Sequence, residues 1–458
     1  MPKNETDTPT GRVLDISRLL SRLHRKAPTG IDRVELAYAR CYLRAAVERD
    51  VRFLLTTPLN TALLRRSLAG SLVRTAVERW SDPVEVLAVD PAYASLREML
   101  QASLSAERTH RTINVSPPSD APAEARMAAM KAAAYVQATL RGAVNPRMNR
   151  IPRGSAWYLH VSHINLHDPP RLSWLRAAGL PSMFLVHDLI PISHPEYCRP
   201  DEDVRHRRRI ETVSRLADVV VFNSKVTQAA WQDYVETQGL PQPHGEVVPL
   251  AVEDVFRAGP TGPRLETGVP YFVVVGTIEA RKNLAFLLQV WKQWTQQGRQ
   301  PRARLVIVGR RGWESENVFD LLDRSAALAP TVVEVAELGD HGLAALLRGA
   351  RAALAPSLVE GFGLPIAEAL ALGVPVIASD IDAFREVGGG FADYIDPIDG
   401  PGWIAAFEDY VQPDSPRREA MLTRALGYHP GTWASHIEAV EAILSKQSTS
   451  RKAHDSAI

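Results

Sequence analysis

The stretch Ser357–Asp380, SLVEGFGLPIAEALALGVPVIASD, decides how this chain reads. At its centre EGFGLPIAE sets two carboxylates, Glu360 and Glu368, on either side of seven residues. Gly361 and Gly363 leave the backbone bare, so consecutive N–H groups can close on an anion. Pro365 suits the opening of a helix, and the apolar run behind it carries Glu368. Free amides at a helix N-terminus make a place for a phosphate. Glu360 then lies beside that phosphate and Glu368 one turn deeper, a spacing that suits a sugar on one side of a diphosphate and a ribose on the other. Alone, a Gly-x-Gly before a helix would more often be an ordinary strand-to-helix turn.

Short β-branched runs (Ser182 to Val186, Ala217 to Phe222, Tyr271 to Val275, Arg304 to Val308, Val374 to Ala378) alternate with segments of helical period. That alternation predicts α/β architecture with parallel sheets covered by helices on both faces. Leu284, Leu287, Leu288 and Trp291 repeat at three and four, which marks an amphipathic helix after VVVGTIEARKN. The Pro- and Gly-rich stretch Ala251 to Pro270 reads as a linker between domains. The expected division is a first domain over 1–262 and a second over 263–430. After the break GYHPGTW at Gly427 to Trp433, a last helix is expected over about 431–446. Residues 1–11 and the tail 447–458 read as disordered. Residues 61–150, rich in Ala and Arg, read as a helical insertion in the first domain.

Several blocks together resemble a known family. EGFGLPIAE is similar to the Glu-x7-Glu signature of retaining, GT-B-fold glycosyltransferases of family four, with bacterial polysaccharide mannosyl- and rhamnosyltransferases the nearest in style. YFVVVGTIEARKNLAFLLQVW (Tyr271 to Trp291) and RLVIVGRRGW (Arg304 to Trp313) resemble its donor-domain blocks. FLVHDLIPISHPEYC (Phe184 to Cys198) and TGIDRVELAYAR (Thr29 to Arg40) resemble its acceptor-domain blocks. The resemblance implies two Rossmann-like, doubly wound domains facing across a cleft, with the last helix crossing back onto the first. It also implies a metal-independent hexosyltransferase that uses a nucleotide-sugar donor, GDP-mannose as first choice, and needs no cofactor. The acceptor would be a saccharide, free or lipid-linked, in the synthesis of lipopolysaccharide or exopolysaccharide. A nucleotide-sugar isomerase on the same scaffold and a non-catalytic partner in an assembly complex remain as alternatives.

Carried over residue by residue, the resemblance makes Arg281 and Lys282 the phosphate-binding pair beside Gly276. A diphosphate leaving group gains negative charge as its bond to the sugar breaks, and fixed cations aimed there lower the barrier. Glu360 would face the donor sugar, and Glu368 would accept the ribose hydroxyls, as a group that accepts without donating can. Gly361, Phe362, Gly363 and Leu364 complete the donor loop. Val335 to Gly339, Leu338 among them, would lie against the base. His187, at a strand end where ligands gather in open α/β sheets, would stand beside the donor sugar, with Asp188 orienting it or capping the next turn. Retention is implied through front-face attack within an ion pair, with a covalent intermediate on Glu360 as the minority view. Gly30 in TGIDR would approach the diphosphate from the first domain, although one glycine stands where the family usually has two. Arg33 is left between a phosphate contact and a pairing with Glu35 or another acid. VRHRRR, Val204 to Arg209, is either a solvated helix face or a footing on anionic lipid.

Bulk properties set the outer limits. The 458 residues exceed one core's usual span. A net charge of +1 gives no global basic field for nucleic acid. Cys41 and Cys198 show no metal spacing. With no long apolar run and a polar start, the expected location is cytoplasmic, free or resting on the inner leaflet. Oligomeric state is not legible.

Overall fold

The structure, a computed structural model, describes residues 10–25, 28–45, 50–57, 60–80, 90–102, 104, 112–113, 121–144, 151, 154–297 and 302–455. Its strands are β1 (Gly11–Asp15), β2 (Val51–Thr56), β3 (Thr61–Leu63), β4 (Thr112–Ile113), β5 (Ala156–His160), β6 (Ser182–Val186), β7 (Val219–Phe222) and β8 (His244–Val247). They continue with β9 (Tyr271–Val275), β10 (Arg304–Val308), β11 (Val332–Val335), β12 (Ala352–Ala355), β13 (Val376–Ser379) and β14 (Asp393–Ile395).

Among the described residues two sheets of seven strands result. The first runs β3-β2-β1-β5-β6-β7-β8 and the second β14-β13-β12-β9-β10-β11-β4. Every pairing is parallel except β2 with β3. Runs such as VVVF in β7 and RLVIV in β10 are buried along their whole length, as strands covered by helices on both faces must be. This is the α/β architecture of two doubly wound domains. In each sheet the strand order reverses once, between β1 and β5 and between β9 and β12. Such switch points leave a crevice at the carboxyl ends of the strands.

Four expectations about the chain's course need correction. Residues 61–150 are not an insertion in the first domain alone. The helices Arg66–Trp80 and Ala121–Val144 pack on the first core. Between them, Tyr93, Leu96 and Leu100 of the helix Pro91–Gln101 join the second core, and β4 pairs in register with β11 (Glu334 with Thr112, Val335 with Ile113). The buried Arg304 fixes this excursion by donating to the Met99 carbonyl at 2.5 Å and the Ala102 carbonyl at 2.6 Å. A two-residue strand gives no periodicity for a sequence reading to catch.

The passage into the second domain lies earlier than 262. Ala251 belongs to the first core, whereas Val252 and Phe256 are buried in the second. The last helix is longer than expected, Trp433–Asp455. Ser448 is buried and accepts from Trp157 Nε1 at 2.9 Å, so most of the segment read as a disordered tail is helix. That helix lies on the first domain, with Val440 and Leu444 in its core and Glu441 paired to Arg12 at 2.5 Å. Gly11, read as part of a disordered start, opens β1, while residues 1–9 lie outside the described residues. Among the described residues no helix is long and apolar enough to cross a membrane.

Candidate functional site

The carboxyl ends of both sheets face one cleft of about 1220 Å³. Pockets for a single drug-sized ligand measure about 300–1,000 Å³, so this space exceeds what one such ligand needs. Gly30, His187, Gly276, Arg281, Lys282, Leu338, Glu360, Gly361, Phe362, Gly363, Leu364 and Glu368 all line it.

On the second-domain wall, β9 and β12 are neighbours at the switch point. The loop after β9 therefore meets the loop after β12. Arg281 and Lys282 sit in a 3-10 turn, Ala280–Lys282, and not in the first turn of the helix Leu284–Gln297. Asn283 in left-handed conformation (φ 57°) separates the two, so the cations stand just ahead of the helix rather than within its first turn. Both grip Glu360, Arg281 through Nη1 to Oε2 and Lys282 through Nζ to Oε1. Ser357 Oγ donates to Glu360 Oε1 at 2.9 Å, and Arg281 also binds Glu279 at 2.6 Å. Burial alone would raise the Glu360 pKa, but Arg281 and then Lys282 outweigh it and hold the carboxyl at about 2. Glu360 is thus ionised and engages both cations.

The Glu360–Glu368 loop docks on the first domain. Gly363 (φ 119°) turns the chain into the helix Leu364–Ala371, a conformation that suits glycine. Phe362 is buried in the first-domain core, with Leu364 packed against it. The Gly361 carbonyl accepts from Ser224 Oγ at 2.7 Å and Thr227 Oγ1 at 3.2 Å. A Cβ at Gly361 would lie 2.4 Å from the His187 carbonyl oxygen. Gly30 faces the same loop, its missing Cβ 3.6 Å from Leu364.

On the first-domain wall, His187 follows β6 and donates Nε2–H to the Val161 carbonyl at 2.9 Å. That bond leaves Nδ1 as the acceptor. Burial lowers the His187 pKa to about 4, against smaller raising effects of the Val161 bond and Asp188. The ring is therefore neutral. Asp188 Oδ1 accepts from the Ile190 N–H at 3.2 Å, so it caps the following turn. Sequence reading missed His163 and His206, whose rings form a row with His187 at centroid separations of 5.3 and 5.9 Å. The only available signal was the spacing of His160 and His163 after a strand.

Glu368 is buried in the cleft wall, and among the described residues its carboxylate has no hydrogen-bond partner. Burial, reinforced by Asp340 and Glu253 against the attraction of Arg33, raises its pKa to about 7. A carboxyl left without donors at a cleft wall is ready to accept hydroxyls from a ligand. Arg33 does not pair with Glu35. It crosses to the second domain and grips Asp340 bidentately at 2.5 and 2.6 Å. Of the expected base-contacting loop, Ala336, Glu337 and Leu338 line the cleft, joined by Ile113 of β4. In VRHRRR, Arg205 and Arg209 face the cleft and Arg207 pairs with Asp203 at 3.8 Å, so this cluster is not one solvent-facing stripe. Among the described residues no group of three or more His, Cys, Asp or Glu is placed to hold a metal ion.

Residues 261–392 match the family described as Glycosyl transferases group 1. The chain is 35% identical over 156 residues to O-antigen chain mannosyltransferase B of Escherichia coli, covering 34% of this chain and 40% of that one. It is 27% identical over 265 residues to the serotype-specific mannosyltransferase WbdA of Escherichia coli, covering 53% and 32%. The matches thus span less than half the length of either relative. Among solved structures, Anabaena Alr3699/HepE in complex with UDP superposes with a TM-score of 0.56 at 13% identity, over 95% of this chain and 100% of that one. This likeness shows the shared two-domain fold.

Proposed function

We propose that this chain, similar over residues 261–392 to the group 1 glycosyl transferases, is a retaining glycosyltransferase. It moves a hexose, mannose as first choice, from a nucleotide-sugar donor to a saccharide in bacterial surface polysaccharide synthesis. The observation that carries this reading is the convergence of Arg281, Lys282 and Glu360 from one domain with His187 from the other on one cleft. The mannosyltransferase relatives favour mannose, and the neighbour holding UDP supports a nucleotide on this fold.

In this reading the diphosphate takes over Arg281 and Lys282, the ribose hydroxyls donate to Glu368, and the base lies along Ala336–Leu338. As the bond between the anomeric carbon and the diphosphate oxygen breaks, its electron pair stays on the diphosphate, where the two cations stabilise it. The acceptor oxygen bonds to the anomeric carbon on the face the leaving group vacates, and its proton passes to the departing phosphate oxygen. His187, neutral and with Nδ1 free to accept, orients the sugar and adds no charge. Arg281 and Lys282 supply what a divalent ion would otherwise bring, so transfer proceeds without metal. The work is done on the cytoplasmic side, at the inner leaflet if the acceptor is lipid-linked.

The test is to incubate the protein with GDP-mannose and, in parallel, UDP-, ADP- and dTDP-hexoses, with and without a saccharide acceptor, in the presence of chelator. Acceptor-dependent release of nucleoside diphosphate supports the proposal. Donor conversion without acceptor would instead indicate an isomerase, and binding without turnover a non-catalytic assembly partner.

A further inference from the structure

The first-domain wall of the cleft carries more positive charge than its acids balance. Arg18, Arg22, Arg25, Arg199, Arg205 and Arg209 line it, against Asp188 and Glu202. Some of these cations are accounted for. Arg18 pairs with Asp32 at 2.6 Å and Arg209 with Glu202 at 2.6 Å. Arg199 lies over the Trp313 ring at 4.7 Å. Arg205 reaches His167 Nε2 at 3.3 Å and the already occupied Glu202 at 4.0 Å.

Arg22 and Arg25 have no such partner. Among the described residues no carboxylate lies within ion-pair distance of either. Arg22 Nε is buried and makes no hydrogen bond. Burial, then the neighbouring Arg18 and Arg25, push the Arg22 pKa down, with Asp32 opposing only weakly. A partly buried guanidinium beside like charges, with an idle donor, is a standing cost to the fold. An anion in the cleft would relieve it. The planar fork of Arg matches phosphate oxygens two at a time.

We propose that Arg22 and Arg25, with Arg18 behind them, bind a phosphate group of the glycosyl acceptor, across the cleft from the Arg281–Lys282 pair. This rests on the reading that the first domain receives the acceptor. The phosphate belongs either to a soluble phosphosugar or to the diphosphate headgroup of a lipid-linked saccharide. Both sources present the same oxygens to the same forks.

The experiment removes the donor-side cations first, so that any anion detected is bound elsewhere. Full-length Arg281→Ala/Lys282→Ala protein is titrated calorimetrically with inorganic pyrophosphate at low salt, where exposed charge is least screened. Binding is expected, and adding Arg22→Gln and Arg25→Gln should weaken it at least about tenfold, as loss of charge-assisted forks does. Without ligand, the Gln variants should melt at the same temperature or higher, because an uncompensated charge is gone. Mannose 6-phosphate and phosphatidylcholine vesicles carrying undecaprenyl diphosphate are then used as competitors of pyrophosphate. Competition by either supports the site and identifies its source. Undiminished pyrophosphate binding in the Gln variants, or competition by neither ligand, overturns it. No readout here depends on sugar transfer, so failure of the transfer assay and failure of this site are told apart.

Discussion

Gly361 of the second domain lies against the carbonyl oxygen of His187 in the first, so close that a Cβ there would stand 2.4 Å from it. The contact joins the loop that holds Glu360 to the strand end that holds His187, and Ser224 and Thr227 brace it through the Gly361 carbonyl. The glycine at this point is therefore demanded by the approach of two domains.

Gly361→Ala should prevent that approach. Displacing a reacting group by about 1 Å costs about a hundredfold in rate, so kcat/KM should fall by that order. Nucleoside diphosphate affinity, which depends on the second domain, should change by less. Parallel steady-state kinetics and calorimetry decide between this and equal losses in both.

Glu360 pairs with both Arg281 and Lys282. Glu360→Gln removes a negative charge that an incoming diphosphate must displace, so nucleoside diphosphate should bind more tightly while turnover falls about a hundredfold. Weaker nucleotide binding in this variant would mean that Glu360 does not compete for those cations.

Glu368 sets a pH dependence. With its pKa raised to about 7, the folded protein keeps a proton that the unfolded chain releases near the ordinary carboxylate value. Its contribution to stability is therefore lost as pH rises through that window. Ribose hydroxyls need the ionised form, so nucleotide binding below pH 7 should release a proton, and affinity should rise toward pH 8. Calorimetry in buffers of different ionisation enthalpy should count that proton in the native protein and not in Glu368→Gln. An equal proton count in both would remove Glu368 from the ribose site.

The histidine row gives the opposite slope. Burial lowers the His187 and His206 pKa, and burial with His187 beside it lowers that of His163 well below the usual value. The unfolded chain takes up these protons first, so stability is lost as pH falls from about 6.5 toward 4. His163→Asn should move the midpoint of acid unfolding to lower pH. An unchanged midpoint would mean that His163 is not a source of the acid sensitivity.

Much of this arrangement was legible in the sequence where one short segment carried its own signal. The runs Ser182 to Val186, Tyr271 to Val275 and Arg304 to Val308 coincide with β6, β9 and β10, because strands buried on both faces are apolar throughout. The residues read from EGFGLPIAE and GTIEARK as site candidates all line the cleft, because each loop follows a strand directly. What escaped depends on contacts distant in sequence. The Arg33–Asp340 pair spans 307 positions, and β4 takes its identity from pairing with β11. The final helix keeps going past polar residues because Ser448 meets Trp157, 291 positions away. Local composition carries none of this.

In the proposed function, one cleft assembles a sugar-transfer centre from Arg281, Lys282 and Glu360 on one side and His187 on the other. The most direct measurement is mass spectrometry of a saccharide acceptor after incubation with protein and GDP-mannose, followed by nuclear magnetic resonance of the new linkage. The account predicts an acceptor one hexose heavier, with the donor's anomeric configuration retained, and about a hundredfold less product from folded Arg281→Ala protein. An inverted linkage, or equal product from Arg281→Ala, would contradict it.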